Sequence, residues 1–191
     1  MKLKIGINGF GRIGRMVLRA IIENDLKNLE VVAINNKSKA ELSSFLLKYD
    51  TVHGKLKTKI SHSEKSIEVN GKKIDLINEI EISKINWKKI GVDVVLECTG
   101  KFNTKEKASQ HINSGAKKVL VSTPCKEVTN IVFGVNHKKL KTDDKIISAA
   151  SCTTNCLAPI AKVLNDNFGI ERGFMTTIHS YTSDQRLLDN S

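Results

Sequence analysis

Aromatic residues make up only 5% of this 191-residue chain. That is too few to interleave with its lysines as stacking platforms for single-stranded nucleic acid. Cysteine is sparse too, at positions 98, 125, 152 and 156. Such density excludes a disulfide scaffold, and reduced thiols are expected. No apolar run approaches the roughly 20 residues that span a bilayer, and the first residues, MKLKIG, hold no apolar leader core. The reading is a cytoplasmic protein with no membrane partner. Acidic residues are outnumbered 20 to 31 by basic ones, for a net charge of +11. The lysines are spread in short pairs such as Lys72-Lys73, Lys88-Lys89, Lys117-Lys118 and Lys138-Lys139. This reads as a solvated surface with a general attraction for phosphorylated metabolites, not a dedicated nucleic-acid face. No cluster of His and Cys has metal-ligand spacing, so no metal is expected. Repeats, low-complexity tracts and obvious linkers are missing, and the length suits one large domain or one and a half small ones.

What is present begins at once. Residues 2–8 alternate and then run apolar, as a first strand does. Gly9-Phe10-Gly11-Arg12-Ile13-Gly14 follows, a complete G-x-G-x-x-G, and then a helical pattern with Ile13, Val17, Ala20 and Ile21 at spacings of three and four. Residues 29–35 read as a second strand. Within strand, loop, helix and strand, the glycine motif predicts dinucleotide binding. The first glycine permits the turn, the second lets a pyrophosphate approach the backbone, and the third lets helix and strand pack. The phosphates are then expected at the helix N-terminus beside Arg12 and Ile13. The position that normally carries an acid for the adenosine ribose holds Asn36, flanked by Lys37, Ser38 and Lys39. Asn still hydrogen-bonds a hydroxyl and does not repel a 2′-phosphate, so the expected cofactor is NAD, with NADP admitted.

Further along, residues 40–49 predict a short helix, 57–60 and 66–69 a lysine-rich β region, and Asn70-Gly71 a hairpin turn. Residues 92–98 and 117–121 predict strands that end at Thr99 and Ser122, with a helix over 105–114 between them. In a doubly wound sheet ligands lie beyond such strand ends, which places Thr99 and Ser122 at the cofactor's edge. Residues 131–136 and 146–150 are expected as the last strands before Ser151-Cys152-Thr153-Thr154-Asn155-Cys156. A cysteine where a strand gives way to a helix sits at the positive end of the helix dipole, which favours a thiolate nucleophile. A small buried cysteine in a helix cap fits the same stretch. After the helix, residues 173–178 predict a strand delivering His179. A strand without partners implies a chain that stops inside a second domain.

These residues resemble one family. The stretches 5–15 (IGINGFGRIGR), 151–156 (SCTTNC) and 179–185 (HSYTSDQ) are similar to phosphorylating glyceraldehyde-3-phosphate dehydrogenase, and 47–50, 52–54, 97–100 and 133–136 match in order. The resemblance covers the whole chain. It implies a Rossmann-type doubly wound, mostly parallel α/β domain over 1–150, and over 151–191 the start of a truncated α+β catalytic domain. It further implies Cys152 as the nucleophile, His179 as its base, and Ser151, Thr153 and Thr182 as residues holding glyceraldehyde 3-phosphate or inorganic phosphate. Asn155 and Cys156 are expected to shape the helix start. A homotetramer is implied for full-length members, which continue past residue 191 to a phosphate-binding arginine. By that resemblance a chain of this length is expected to be inactive or poorly folded. Asn36 departs from the family's usual aspartate. Erythrose-4-phosphate dehydrogenase, a cysteine hydrolase without a nucleotide and a nucleic-acid-binding protein are the alternatives.

Overall fold

The computed structural model describes residues 2–182. In strand β1 (Leu3–Asn8), Ile5 and Ile7 bury one face, while Gly6 leaves room on the other for the Trp87 ring. Helix α1 (Arg12–Glu23) and strand β2 (Leu29–Asn35) complete the first unit. The chain continues through helix α2 (Ala40–Lys48), the short hairpin β3 (Tyr49–Asp50) and β4 (Gly54–Lys55), and the strands β5 (Ile60–Ser63), β6 (Ser66–Val69) and β7 (Lys72–Ile77). The turn between β6 and β7 has positive φ at both Asn70 and Gly71, the backbone a type I′ hairpin requires. Next come the short helix α3 (Trp87–Ile90), strand β8 (Val94–Glu97), helix α4 (Lys105–Asn113), strands β9 (Lys118–Val121), β10 (Thr129–Asn130) and β11 (Ile146–Ser148), and helix α5 (Cys152–Phe168).

Nine of these strands form one sheet in the order β10-β11-β9-β8-β1-β2-β7-β6-β5. From β10 to β7 every pairing is parallel, and β7-β6-β5 is an antiparallel edge. This is the expected Rossmann-type α/β sheet. Leu18 of α1 and Leu47 of α2 pack with Ile5, Ile7 and Ile34 on one face. Trp87 packs with Ala33 and Val95 on the other, and Ala108 of α4 packs with Val119 and Val121. The chain leaves β1 for β2 on one side and returns through β8 on the other. The carboxyl ends of β1 and β8 therefore frame the topological switch point.

Three local expectations change. Of the expected α1 face, Val17 and Ile21 pack against the core as half-buried residues, whereas Ile13 and Ala20 are exposed and the fully buried positions are Gly14, Leu18 and Arg19. The guanidinium of Arg19 is buried because it donates to the carbonyls of His53 and Gly54 and pairs with Glu23. Residues 131–136 form turns, and the strand lies earlier, at β10. There Asn136 Oδ1 accepts from the Val132 N–H, and its Nδ2 donates to the Asn130 carbonyl. These side-chain bonds occupy backbone groups that a ladder would have used. Residues 173–178 are exposed and form no strand, since no neighbouring strand among the described residues offers them a ladder. No helix among the described residues is long and apolar enough to cross a membrane.

Two glycines of the G-x-G-x-x-G stretch, Gly11 just before α1 and Gly14 within it, carry different constraints. A Cβ on Gly14 would stand 2.2 Å from the Gly9 carbonyl oxygen, and nothing lies within 4 Å of one on Gly11. Gly14→Ala is therefore expected to destabilise by about 2 kcal/mol or more, and Gly11→Ala by less than about 0.5 kcal/mol. Paired denaturant melts of the two variants check this difference.

Candidate active site

At the carboxyl edge of β1 the loop of Gly9, Phe10 and Gly11 opens a cleft of about 680 Å³, lined also by Asn36, Lys37, Glu79, Glu81, Thr99 and Phe102. Gly9 has φ +90°, and a Cβ there would press 2.7 Å from Thr99 Cγ2, so the loop and the β8 exit fit only without a side chain. No side chain caps α1 at Gly11, and its first turn holds no acid. Its leading N–H groups thus have no side-chain cap, the arrangement that receives a phosphate. The residues present fit a dinucleotide. Arg15 donates to the Phe10 carbonyl at 3.0 Å and ties down the loop. Arg12, exposed at the helix start, pairs with Asp50 at 3.0 Å. The backbone N–H of His53, and after it that of Val52 and the Arg12 guanidinium, hold the Asp50 carboxyl down at about 2.

Beneath this cleft runs a buried polar chain. The Glu79 N–H donates to Asn35 Oδ1 at 2.9 Å, which turns Asn35 Nδ2 toward Asn8 Oδ1 at 2.7 Å. Asn8 Nδ2 then faces Glu97 Oε2 at 2.5 Å. From the other side the Trp87 indole N–H donates to His111 Nδ1 at 3.2 Å. An indole can only donate, so His111 carries its proton on Nε2 and gives it to Glu97 Oε2 at 2.9 Å. Glu97 Oε1 accepts both the N–H and the hydroxyl of Thr99, at 2.7 and 2.5 Å. Neither Asn8, Asn35, Glu97 nor His111 stands out in the sequence as a site residue. The signal available was an acid closing an otherwise apolar strand, since carboxylates are buried only with partners.

The other cofactor residues separate. Asn36 lines the cleft at the end of β2, and its Nδ2 donates to Ser43 Oγ at 3.3 Å. Thr99 lines the cleft as well, but its hydroxyl is engaged twice, donating to Glu97 and accepting from the Lys101 N–H at 3.1 Å. Arg12, Ile13, Gly14 and Ser122 stand outside the cleft's lining. Ser122 donates its N–H to the Glu97 carbonyl at 2.9 Å, and its side chain slightly offsets the burial that raises the Cys98 thiol.

Strand β11 ends on the same edge of the sheet, because it runs parallel to β9, β8 and β1. There the chain makes an elbow into α5. Ala150 has φ +58°, a left-handed conformation that strains a residue with a Cβ. Ser148 Oγ accepts from the Ala150 N–H at 2.9 Å and donates to the Thr123 carbonyl at 2.7 Å. Asn155 Nδ2 reaches back to the carbonyls of Ala149 and Ser151, at 2.7 and 2.8 Å. Held from both sides, the elbow puts Cys152 at the first position of α5. Ser151 is the N-cap, its Oγ accepting from the Thr154 N–H at 3.0 Å and touching Thr153 Oγ1 at 3.0 Å.

Cys152 Sγ lies 3.3 Å from His179 Nε2. His179 Nδ1 is 2.5 Å from the Ser180 carbonyl oxygen, which can only accept. The Nδ1 proton is fixed there, and Nε2 is left to take the thiol's proton. The His179 hydrogen bond, and behind it the Thr153 N–H, lower the Cys152 thiol. The Ser180 carbonyl first, then Cys152, raise the imidazole. Burial does the opposite to Cys98, pushed up to about 12 with the Glu97 charge adding, and it raises Cys125 as well. Thr182 follows in the same exposed segment, and residues 183–185 of that motif lie outside the described residues.

The lowered thiol ionises below the ordinary thiol range, and the raised imidazole keeps its proton to a higher pH than a free one. Alkylation by iodoacetamide should therefore select Cys152 and stay fast below the ordinary thiol range, failing only as pH falls through the lowered Cys152 titration. His179→Asn should slow it about tenfold or more near neutral pH. Rate–pH profiles with peptide mapping check both statements.

Comparison with known proteins agrees with this geometry. Residues 3–105 match the glyceraldehyde 3-phosphate dehydrogenase NAD binding domain, and residues 151–191 match the C-terminal domain of the same family. The glyceraldehyde-3-phosphate dehydrogenase of Clostridium pasteurianum is 53% identical over 97% of this chain and 55% of its own length. Those of Priestia megaterium and Geobacillus stearothermophilus are each 52% identical over 99% of this chain and 56% of their own. The chain thus spans about half the length of these curated relatives. It belongs to the glyceraldehyde-3-phosphate dehydrogenase family.

Proposed function

We propose that this chain serves the phosphorylating oxidation of glyceraldehyde 3-phosphate to 1,3-bisphosphoglycerate, with Cys152 as nucleophile and His179 as base. The observation that carries the reading is the 3.3 Å Sγ–Nε2 pair at a helix N-terminus, on the sheet edge that also bears the dinucleotide cleft. The Cys152 thiolate attacks the aldehyde carbon, and His179 Nε2 returns the proton it took from the thiol to the new oxyanion, which gives the thiohemiacetal and frees Nε2. His179 Nε2 takes the proton of the new hydroxyl as the hydride leaves that carbon. NAD, when bound, accepts the hydride. Inorganic phosphate then attacks the thioester, the acyl group passes to a phosphate oxygen, and Cys152 leaves as thiolate. The hydroxyls of Ser151 and Thr153 beside Cys152 suit an anionic substrate or the attacking phosphate, and Thr182 is assigned with them. The second family match, beginning at residue 151, supports a division into a nucleotide-binding unit over 1–150 and the opening of a catalytic domain over 151–191. A cytoplasmic homotetramer goes with the family reading. Erythrose 4-phosphate is not favoured as substrate, and the relatives named above all carry the glyceraldehyde activity.

Gly9, Phe10, Gly11, Arg12, Ile13 and Gly14 are assigned to the pyrophosphate, and Asn36, Thr99 and Ser122 to the rest of NAD. At the ribose position Asn36 and Lys37 tolerate an added phosphate, while Glu79 and Glu81 on the same cleft oppose it. NADP is thus a weaker second cofactor. Phosphate-dependent reduction of NAD by glyceraldehyde 3-phosphate, assayed with the chain extended to the length of its relatives, tests the activity. Cys152→Ser should lower it about a thousandfold or more, and equal turnover of the two proteins would sink the reading. In the same assay kcat/KM should favour NAD over NADP by less than about a thousandfold, and Asn36→Asp should widen that ratio about tenfold or more through like-charge repulsion.

A further inference from the structure

Glu97 and His111 have no part in the chemistry just described, yet both are fully buried, at 1% and 0% exposure. They stand immediately behind the cofactor cleft. Both donor chains converge on Glu97 Oε2 and Thr99 fills Oε1, so the carboxylate accepts on both oxygens and its geometry is fully determined. Two walls of the cleft depend on it. The first is the turn after β8. Glu97 Oε1 grips the N–H and the hydroxyl of Thr99, which in turn packs against Gly9 where a Cβ would collide. The second is Phe102, whose ring centroid lies 5.4 Å from that of His111. His111 is fixed in place by Glu97 on one nitrogen and by Trp87 on the other.

We propose that Glu97, backed by His111, is a positioning residue for the adenosine half of the dinucleotide. The carboxylate holds the Thr99 turn and, through the imidazole, the Phe102 ring, so that the cleft stands preformed before the cofactor arrives. Preformed walls strengthen binding by removing the ordering cost from the binding step. The adenosine half is specified because the cleft runs from the glycine loop to Asn36 at the end of β2, where a Rossmann unit receives the adenosine ribose. The proposal rests on the cofactor reading given above.

Glu97→Gln tests it sharply, because donors converge from both sides. Whichever way the amide turns, its NH2 group meets either Asn8 and His111 or the Thr99 N–H. NAD and AMP are each titrated into the purified protein by calorimetry, well below its melting temperature. Glu97→Gln should weaken both ligands about tenfold or more, by a similar factor. Thr99→Val should do the same, and Thr99→Ser, which keeps the hydroxyl that Glu97 grips, should recover most of that loss. The double variant Glu97→Gln/Thr99→Val should lose little more than either single change, as residues acting through one contact do.

Trp87, the single tryptophan of this sequence, adds a ligand-free readout. Its emission should shift in Thr99→Val and not in Thr99→Ser, since the disturbance travels through Glu97 and His111 to the indole. A direct contact between Thr99 and the ligand would leave that emission unchanged. If Glu97→Gln does not fold, the Thr99 pair and the Trp87 emission decide the matter. Additive losses in the double variant, or unchanged ligand constants in the single ones, overturn the proposal while the cofactor reading stands. Failure of the unaltered protein to bind NAD or AMP overturns both.

Discussion

One buried carboxylate governs how the centre of this sheet can be built. Taking a charge out of water costs several kcal/mol unless its lone pairs are filled. Glu97 meets that demand with donors from β1, α4 and the turn that follows its own strand. Each donor then needs an acceptor of its own orientation. The requirement spreads to Asn35 and the Glu79 backbone in one direction and to the Trp87 indole in the other. The register of β1 against β8, with Asn8 opposite Glu97, is thus set by a polar constraint as well as by apolar packing. Hydrophobic residues alone would tolerate small shifts of these strands, whereas a saturated hydrogen-bond chain does not.

The cysteine elbow answers a different constraint by similar means. Putting a thiol at the first residue of a helix directly after a strand forces a left-handed residue between them, and Ala150 occupies that position. Such strain persists only where the surroundings over-determine it. Ser148 from the strand side and Asn155 from the helix side supply that determination through backbone contacts. Asn155 therefore supports the site without needing to touch substrate, in keeping with its expected part in shaping the helix start.

Much of this was legible in the sequence because its signals are local. The G-x-G-x-x-G motif lies in a few consecutive residues, Asn70-Gly71 names its own turn, and the strand leading to Cys152 is an apolar run with a polar end. The SCTTNC stretch and His179 could be paired only through resemblance, because nothing local says that residues 27 apart will meet. The network around Glu97 was not legible. Asn8, Asn35, Trp87, Glu97 and His111 come from five separate elements or loops, and each alone is an ordinary residue. The two missed strands failed for physical reasons too. Asn136 diverts the backbone bonds of 131–136, and 173–178 has the pattern of a strand but no ladder to join.

The two halves of the site are therefore held at different depths. Groups beneath the cofactor cleft are buried, so their hydrogen bonds act at low dielectric and each unpaired partner is expensive. Cys152 and His179 are exposed, where water and salt screen the attraction between thiolate and imidazolium. Coulomb attraction across 3.3 Å is then a weak way to keep a thiolate poised. Fixed dipoles are less easily screened at contact distance, and the site supplies them: the Thr153 N–H and the helix start at the sulfur, and the Ser180 carbonyl at the imidazole. Of these the carbonyl matters most for the chemistry. By holding the Nδ1 proton it leaves Nε2 as the acceptor facing the thiol, and so decides the direction in which the proton can move.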